Sequence, residues 1–221
     1  MTSARNDMID RIWHGKDPLQ NYPKDLYRTD YQGWTSNHAY LTRAIDELHP
    51  RTVVEIGVWK GGSVITMSNR MRELGLDGVV IGVDTFLGSS EHWLRREWFD
   101  GIQFLNGYPA LFHTFASNIF GRHLQDYVLP LPIDSINAAV IFAMRGIEVD
   151  LLHIDAAHDF ASVTADLQHW WPRLRPGGVL IGDDYYTNGT TWPEVRAAFR
   201  QFFQSEELEN IDGKCWIKKE G

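Results

Sequence analysis

With a single cysteine, Cys215, the chain can form no intrachain disulfide and offers no thiolate cluster for zinc. That scarcity suits a reducing compartment. Positive charge is also in deficit: 21 Lys and Arg against 29 Asp and Glu leave a net charge of −8. Nucleic acid and anionic membrane surfaces recruit dense Lys and Arg, so neither is expected as the main partner. No stretch approaches the roughly 20 apolar residues of a membrane span, and the opening MTSARNDMIDRIWHGK is charged where a signal peptide needs its apolar core. A cytoplasmic location follows as the expectation. Two phosphate-binding signatures are missing as well. The glycine-rich stretch at 57–63 has neither the Gly-Lys-Ser/Thr of a Walker A loop nor the Gly-x-Gly-x-x-Gly dinucleotide fingerprint. There is no internal repeat and no low-complexity tract.

What is present reads as one domain, 1–221, of alternating α/β type. The length suits a single core, and 43% hydrophobic with 23% charged residues is the balance of a soluble globular chain. Leu41, Ala44, Ile45 and Leu48 fall at i, i+3, i+4 and i+7, which predicts a helix over 36–48 with Ser36 or Asn37 at its N-cap. Strand-length apolar runs follow at 52–57, 78–84, 128–133, 149–155 and 178–184. Helical faces fall between them: Val64, Met67, Ser68, Met71 and Leu74; then Phe160, Val163, Leu167 and Trp170; and finally, over 192–203, Val195, Ala198, Phe199 and Phe202. Pro172 and Pro176-Gly177-Gly178 are read as the stop and turn after the second of these. A hairpin is expected to turn at Asp212-Gly213. Residues 1–35 and 85–126, rich in aromatics, His, Gly and Asn, fall outside the alternation. They are expected to form an N-terminal arm or lid and an insertion covering a site.

Ligands of an open parallel sheet bind beyond the carboxyl ends of its strands, and here each strand ends in a polar group. The first runs into Glu55-Ile-Gly57-Val-Trp59-Lys-Gly61-Gly62-Ser63, a turn whose glycines let a ligand approach the backbone. The second ends in Asp84, suited to a ribose diol, with a turn-forming aspartate as the plainer reading. Asp155 and Asp183-Asp184 end the fourth and fifth.

This order of motifs resembles the class I S-adenosylmethionine-dependent methyltransferases over about residues 36–220. More narrowly it is similar to the small O-methyltransferase group related to macrocin-type sugar O-methyltransferases. The resemblance implies a Rossmann-like fold: a mainly parallel seven-stranded sheet with a C-terminal antiparallel hairpin and helices on both faces. It implies that Glu55, Gly57, Trp59, Gly61 and Ser63 flank the methionine part of S-adenosylmethionine, that Asp84 with Thr85 binds the ribose, and that Asp134 and Ser135 lie by the adenine. In metal-dependent members a strand-four aspartate joins a strand-five pair, which implies Asp155, Asp183 and Asp184 as ligands of Mg2+ or another divalent cation. Relatives often carry lysine three residues beyond the first aspartate; this chain has His158, which becomes the candidate base beside Asp155.

Elementary electrostatics points the same way. Three carboxylates at neighbouring strand ends repel one another unless a cation neutralises them, and an all-oxygen set favours a hard divalent ion. Plainer readings stand beside these. Asp155 also reads as a helix cap, Asp183-Asp184 as a solvated turn and His158 as a surface or capping histidine. His153 reads as a hydrogen-bonded core residue. Trp93, Trp98, Tyr108 and Phe112 either line an acceptor pocket or pack the insertion; Trp170 and Trp171 read as packing. The expected activity is divalent-metal-assisted O-methylation of a small hydroxylated molecule such as a sugar or glycoside, with homo-oligomerisation left open. The rivals are a metal-independent O- or N-methyltransferase, a metallohydrolase using the aspartates, and a binding protein without catalysis.

Overall fold

The computed structural model describes residues 1–24, 27–205 and 208–221. From the N-terminus the chain forms α1 (Ser3–Trp13), α2 (Ala39–Leu48), β1 (Thr52–Ile56), α3 (Gly62–Glu73) and β2 (Val79–Val83). Short elements follow: α4 (Ser90–Leu94), α5 (Arg96–Phe99), and β3 (Phe104–Leu105) paired with β4 (Tyr108–Pro109). Then come α6 (Leu111–Gly121), β5 (Val128–Leu131), α7 (Ser135–Met144), β6 (Val149–Ile154), α8 (Phe160–Trp170), β7 (Leu174–Gly182), α9 (Pro193–Phe203), β8 (Glu209–Ile211) and β9 (Lys214–Lys218).

The strands read as unbroken apolar runs because both faces of the sheet are covered. Val53 and Val54 of β1 point to opposite faces, and both are wholly buried. One face packs against α1, α7, α8 and α9, through residues such as Met8, Phe142, Leu167 and Phe199. The other packs against α2, α3 and α6, through Leu41, Ile45, Met67 and Phe115. Strand order is β5-β2-β1-β6-β7-β9-β8, parallel from β5 to β7, with β9 antiparallel to β7 and β8 antiparallel to β9. The register aligns the strand ends. Ile56 pairs with Val83 and with Ile154, Val83 with Leu131, and Ile154 with Gly182. Residues 57, 84, 132, 155 and 183 therefore leave the sheet level with one another along a single edge.

Several local expectations shift. The α2 N-cap is His38, not Ser36 or Asn37: its ring nitrogen accepts from the Tyr40 N–H at 3.1 Å, the cap role usually given to a short oxygen side chain. Leu74 is the C-cap of α3 and is exposed rather than on its buried face. Pro176-Gly177-Gly178 lies within β7, beside a register shift opposite Val149 and Leu151. The two segments outside the alternation are each divided. Residues 3–13 form α1, which docks Ala4, Met8 and Ile9 into the core, and Arg5, wholly buried, holds Asp17 with both terminal nitrogens and the Val128 carbonyl with Nε. Residues 111–121 form α6, the crossover helix between β2 and β5, with Leu111, Phe115 and Ile119 buried. From what remains of the two segments, residues 33–36 and parts of 85–98 border the cavities at the aligned strand ends.

Candidate functional site

The turn after β1 is shaped first by packing. Gly57 has φ +82°, and a Cβ there would lie 2.0 Å from the Asp155 carbonyl oxygen; Gly61, φ +88°, would drive one to within 2.7 Å of the Phe115 ring. These glycines let β1, β6 and α6 close up, a reason distinct from the close ligand approach read in the sequence. Gly61 is also the N-cap of α3 and, among the described residues, no side chain caps that end, so N–H groups of the first turn remain for an anion. Glu55 is buried and accepts the Ser63 hydroxyl at 2.7 Å. The pair braces the turn from below.

Asp84 does likewise. Oδ2 accepts from the Val58 and Trp59 N–H groups at 2.8 and 3.1 Å, and Oδ1 from the Phe86 N–H at 2.7 Å. Burial pushes its carboxyl above the ordinary value against these three donors. A carboxylate has about four lone-pair sites, so roughly one remains for a ligand hydroxyl. Asp134 is the N-cap of α7, accepting from the Asn137 N–H at 2.9 Å. The Ser135 hydroxyl is committed to Asp166, whose carboxyl burial raises to about 6. Even so, Gly57, Trp59, Asp84, Thr85, Asp134 and Ser135 together line one cavity of about 250 Å³, with Leu111 and Ile133 as its apolar wall.

A second cavity, of about 230 Å³, lies beside it and shares Gly57, Trp59, His92, Asp155 and Ala156. Its walls include Asp183, Asp184, His158, Tyr186 and four tryptophans: Trp34, Trp59, Trp98 and Trp192. Residues 30–36 strap the arm across this site. Asp30 pairs with the buried Lys60 at 2.7 Å, Ser36 accepts from Thr66 at 2.7 Å, and Thr35 donates to Asp183 at 3.0 Å. Of the aromatics singled out in the insertion, Trp98 reaches the cavity. Trp93 packs on Phe99 and Phe104, Phe112 packs on Phe86, and Tyr108 is exposed. Four non-glycine residues with positive φ fall on these strand-end loops: Trp59 (+50°), Phe86 (+57°), Asp184 (+58°) and Trp192 (+42°). Such conformations store strain where a site demands a fixed geometry.

The carboxylates are brought to one cavity but compensated differently. Asp183 is buried and ion-paired with Lys214, itself wholly buried on β9; burial acts to raise the Asp183 carboxyl, but Lys214 outweighs it and holds it down. Asp184 Oδ2 faces His158 Nε2 at 2.9 Å, while Glu91 Oε1 faces Nδ1 at 3.2 Å. Desolvation depresses the His158 pKa, yet these two acids more than reverse it and leave it raised. Asp155 is pushed well above its ordinary value by burial and by neighbouring Asp183. Lys214 also touches His153 Nε2 at 3.2 Å, and His153 Nδ1 lies 3.6 Å from Glu55 Oε1. A buried polar chain, Ser63–Glu55–His153–Lys214–Asp183, thus runs beneath the second cavity, which Ser63 and Asp183 line. Lys214 and Glu91 were not anticipated from the sequence.

A family model for a methyltransferase domain matches residues 54–185. This chain belongs to that family. Its sheet, with helices on both faces and a C-terminal antiparallel pair, is the class I methyltransferase fold. Among curated relatives, a Streptomyces olivaceus tetracenomycin-glycoside 4'-O-methyltransferase is 30% identical over 175 residues, covering 74% of this chain and 64% of that protein. An uncharacterized Sinorhizobium fredii protein is 24% identical over 156 residues, 70% of this chain and 15% of its own length. The chain thus spans less than two thirds of either relative. Among solved structures, the O-methyltransferase NovP superposes with a TM-score of 0.63 at 20% identity, covering 97% of this chain and 96% of NovP. TomG of Streptomyces achromogenes, solved with S-adenosylmethionine, gives 0.61 at 13% identity over 100% and 91%.

The methyltransferase's cavities offer an uncapped helix end, one open acceptor site on Asp84 and an apolar wall at Leu111 and Ile133, groups of the kinds that a charged, ribose-bearing cosubstrate calls for. The fit to a divalent cation is one of donor chemistry. Asp155, Asp183 and Asp184 are all-oxygen donors on one cavity, and Asp155, half-buried, makes no ion pair among the described residues. They do not form one tight set. Among the described residues, the three candidate ligands that lie within 4.8 Å of one another are Glu55, His153 and Asp155. Asp155 and Asp183 share a hydrogen bond, Lys214 also holds Asp183, and Asp184 is engaged by His158 instead.

Proposed function

We propose that this methyltransferase moves the methyl group of S-adenosylmethionine to a hydroxyl of a small molecule, with a sugar or glycoside as the acceptor class. The observation that carries the reading is the junction of the two cavities. A ribose-suited acid and the Gly57 turn shape the first; a histidine, three carboxylates, an aromatic wall and the uncapped end of α3 at Gly62-Ser63 shape the second; and Gly57, Trp59, His92, Asp155 and Ala156 belong to both. A donor held in one thus meets an acceptor held in the other. The S. olivaceus relative, named for O-methylation of a rhamnosyl group, supports the acceptor class.

In this reading Asp84 takes a ribose hydroxyl, the first turn of α3 faces the methionine carboxylate, and the loop at Asp134-Ser135 borders the adenine. Trp34, Trp98 and Trp192 exclude water and offer ring faces to the acceptor. His158 accepts the hydroxyl proton. A divalent cation, if taken up, would be held by Asp155, Asp183 and Asp184 and would supply Lewis-acid acidification of the acceptor hydroxyl. Much of the rate gain comes from orientation, since in-line attack requires the reacting atoms about 3 to 3.5 Å apart.

The test is transfer from methyl-labelled S-adenosylmethionine into a panel of hydroxylated glycosides, read by mass spectrometry with and without chelator. Labelled product that disappears with chelator and returns with Mg2+ supports the whole reading. Product indifferent to chelator removes the cation and keeps the methyl transfer. Absence of product with any acceptor, although the cosubstrate binds, removes the activity.

A further inference from the structure

His158 is gripped on three sides. Nε2 faces Asp184 Oδ2 at 2.9 Å, Nδ1 faces Glu91 Oε1 at 3.2 Å, and the ring stacks on Trp192 at 3.9 Å with 12° between the planes. The two acids differ in where they come from. Asp184 follows β7 and belongs with Asp183 and Asp155 at the strand ends. Glu91 comes from α4, in the stretch between β2 and α6.

Glu91 is itself held. Ser89 donates to its Oε2 at 2.8 Å, and the reciprocal box between Ser89 and His92 closes the first turn of α4. The side chain therefore has one oxygen fixed by its own helix and the other presented to the imidazole. Burial acts to raise its carboxyl, but the hydrogen bonds from Ser89 and His158 prevail and hold it below the usual value, so Glu91 is an acceptor at both oxygens. An imidazole with a carboxylate on one nitrogen has its tautomer and its aim set by that contact. Trp192 fixes the ring plane and leaves rotation within it to the two acids. If Asp184 serves at the strand ends, Glu91 is the partner that stays.

We propose that Glu91 is a positioning residue for His158: it takes the Nδ1 hydrogen, so that Nε2 is the nitrogen offered to the acceptor hydroxyl when Asp184 turns from it. The proposal rests on the methyltransferase reading above. In the transfer the acceptor oxygen bonds to the methyl carbon as the sulfur–methyl bond breaks, the hydroxyl proton passes to Nε2, and S-adenosylhomocysteine leaves with a neutral sulfur. The positive charge lost from sulfur reappears on the imidazole ring, opposite the Glu91 carboxylate. The same contact ties α4 to the loop after β6, so the segment over the strand ends and the base are one mechanical unit.

The test uses Glu91→Ala and Glu91→Gln, with Ser89→Ala as the milder variant should Glu91→Ala fail to fold. Carbethoxylation by diethyl pyrocarbonate, followed at the His158 peptide by mass spectrometry, needs no acceptor. Exposed His49 and His123 serve as internal references. In Glu91→Ala, the His158 rate should rise at least about threefold relative to those two as Nδ1 is freed, while Glu91→Gln, with an oxygen at the same reach, stays near native. With an acceptor from the glycoside panel, Glu91→Ala should lose about 10- to 100-fold in kcat, the scale of lost outer-shell contacts, and Glu91→Gln should recover most of it. KM for S-adenosylmethionine should hold within about twofold in both. Unchanged labelling and kcat in Glu91→Ala overturn the proposal, and so does a Glu91→Gln as impaired as Glu91→Ala. Should the native protein bind S-adenosylmethionine yet transfer no methyl, the functional reading fails, and the labelling arm still decides the place of Glu91.

Discussion

Asp84→Ala is expected to damage the fold and the cosubstrate site together, and the two effects separate cleanly. The carboxylate takes three backbone N–H groups, those of Val58, Trp59 and Phe86, at 2.7–3.1 Å. Val58 and Phe86 are 3% and 2% exposed, so on truncation water does not replace the acceptor for those two. Each orphaned donor costs about 1–3 kcal/mol, giving a loss on the order of 4 kcal/mol. For a chain of this size that lowers Tm on the order of 10 °C. Asp84→Asn is milder: its carbonyl serves two of the donors, its NH2 cannot serve the third, and the loss is about 1–3 kcal/mol. The assay is thermal denaturation of native, Asn and Ala proteins, each with and without saturating S-adenosylhomocysteine. The bare proteins should melt in the order native, Asn, Ala, and the stabilisation by ligand should shrink in both variants. A native Tm in bare Asp84→Ala refutes the brace. Normal ligand stabilisation in a destabilised Asp84→Ala refutes the ribose contact while leaving the brace in place.

Three further outcomes are expected. Asp166 titrates near 6 in the folded protein against an ordinary value near 3.8; the folded state then binds the proton more tightly, so stability falls as pH rises from about 4 to about 6, by about 2–3 kcal/mol. Asp166→Asn should flatten that slope in melts at pH 4.5 and pH 7, and an unchanged slope refutes the assignment. Arg5→Ala leaves Asp17 without its bidentate partner and the Val128 carbonyl without its donor; urea unfolding should show a loss of about 3–5 kcal/mol, and a loss under about 1 kcal/mol, the value of a surface pair, counts against α1 as part of the core. Lys214→Met removes the cation from the buried chain between Asp183 and His153; it should destabilise the protein by about 3–5 kcal/mol at neutral pH, and a native urea midpoint would contradict the buried ion pair.

The strand ends were legible because a parallel sheet buried on both faces leaves a simple trace: short aliphatic runs, each stopped by a polar residue. The register then brings Gly57, Asp84, Asp155 and Asp183 to one edge, something strand order alone implies. What those residues bond to was not legible. In the sequence Asp134, Ser63 and Ser135 read by ligand role alone, yet each also serves the backbone or a buried acid, and Asp84, readable as a ribose acceptor or a turn former, braces the turn while bordering the cavity. Lys214 was hidden in a charged-looking tail, LENIDGKCWIKK. The one available signal was alternation, which sets Lys214 on the same face of β9 as the buried Trp216. Glu91 and His92 sit on a helix of five residues, too short to show any period. Their place depends on a tertiary contact with the loop after β6.

The measurement closest to the central claim is the structure of the protein crystallised with S-adenosylhomocysteine. The account predicts the ribose beside Asp84, the adenine between Leu111 and the Asp134-Ser135 loop, the carboxylate at the first turn of α3, and the sulfur turned toward the cavity that holds Asp155 and His158. Ligand bound elsewhere, or a protein that shows no affinity for S-adenosylhomocysteine by calorimetry, would contradict it.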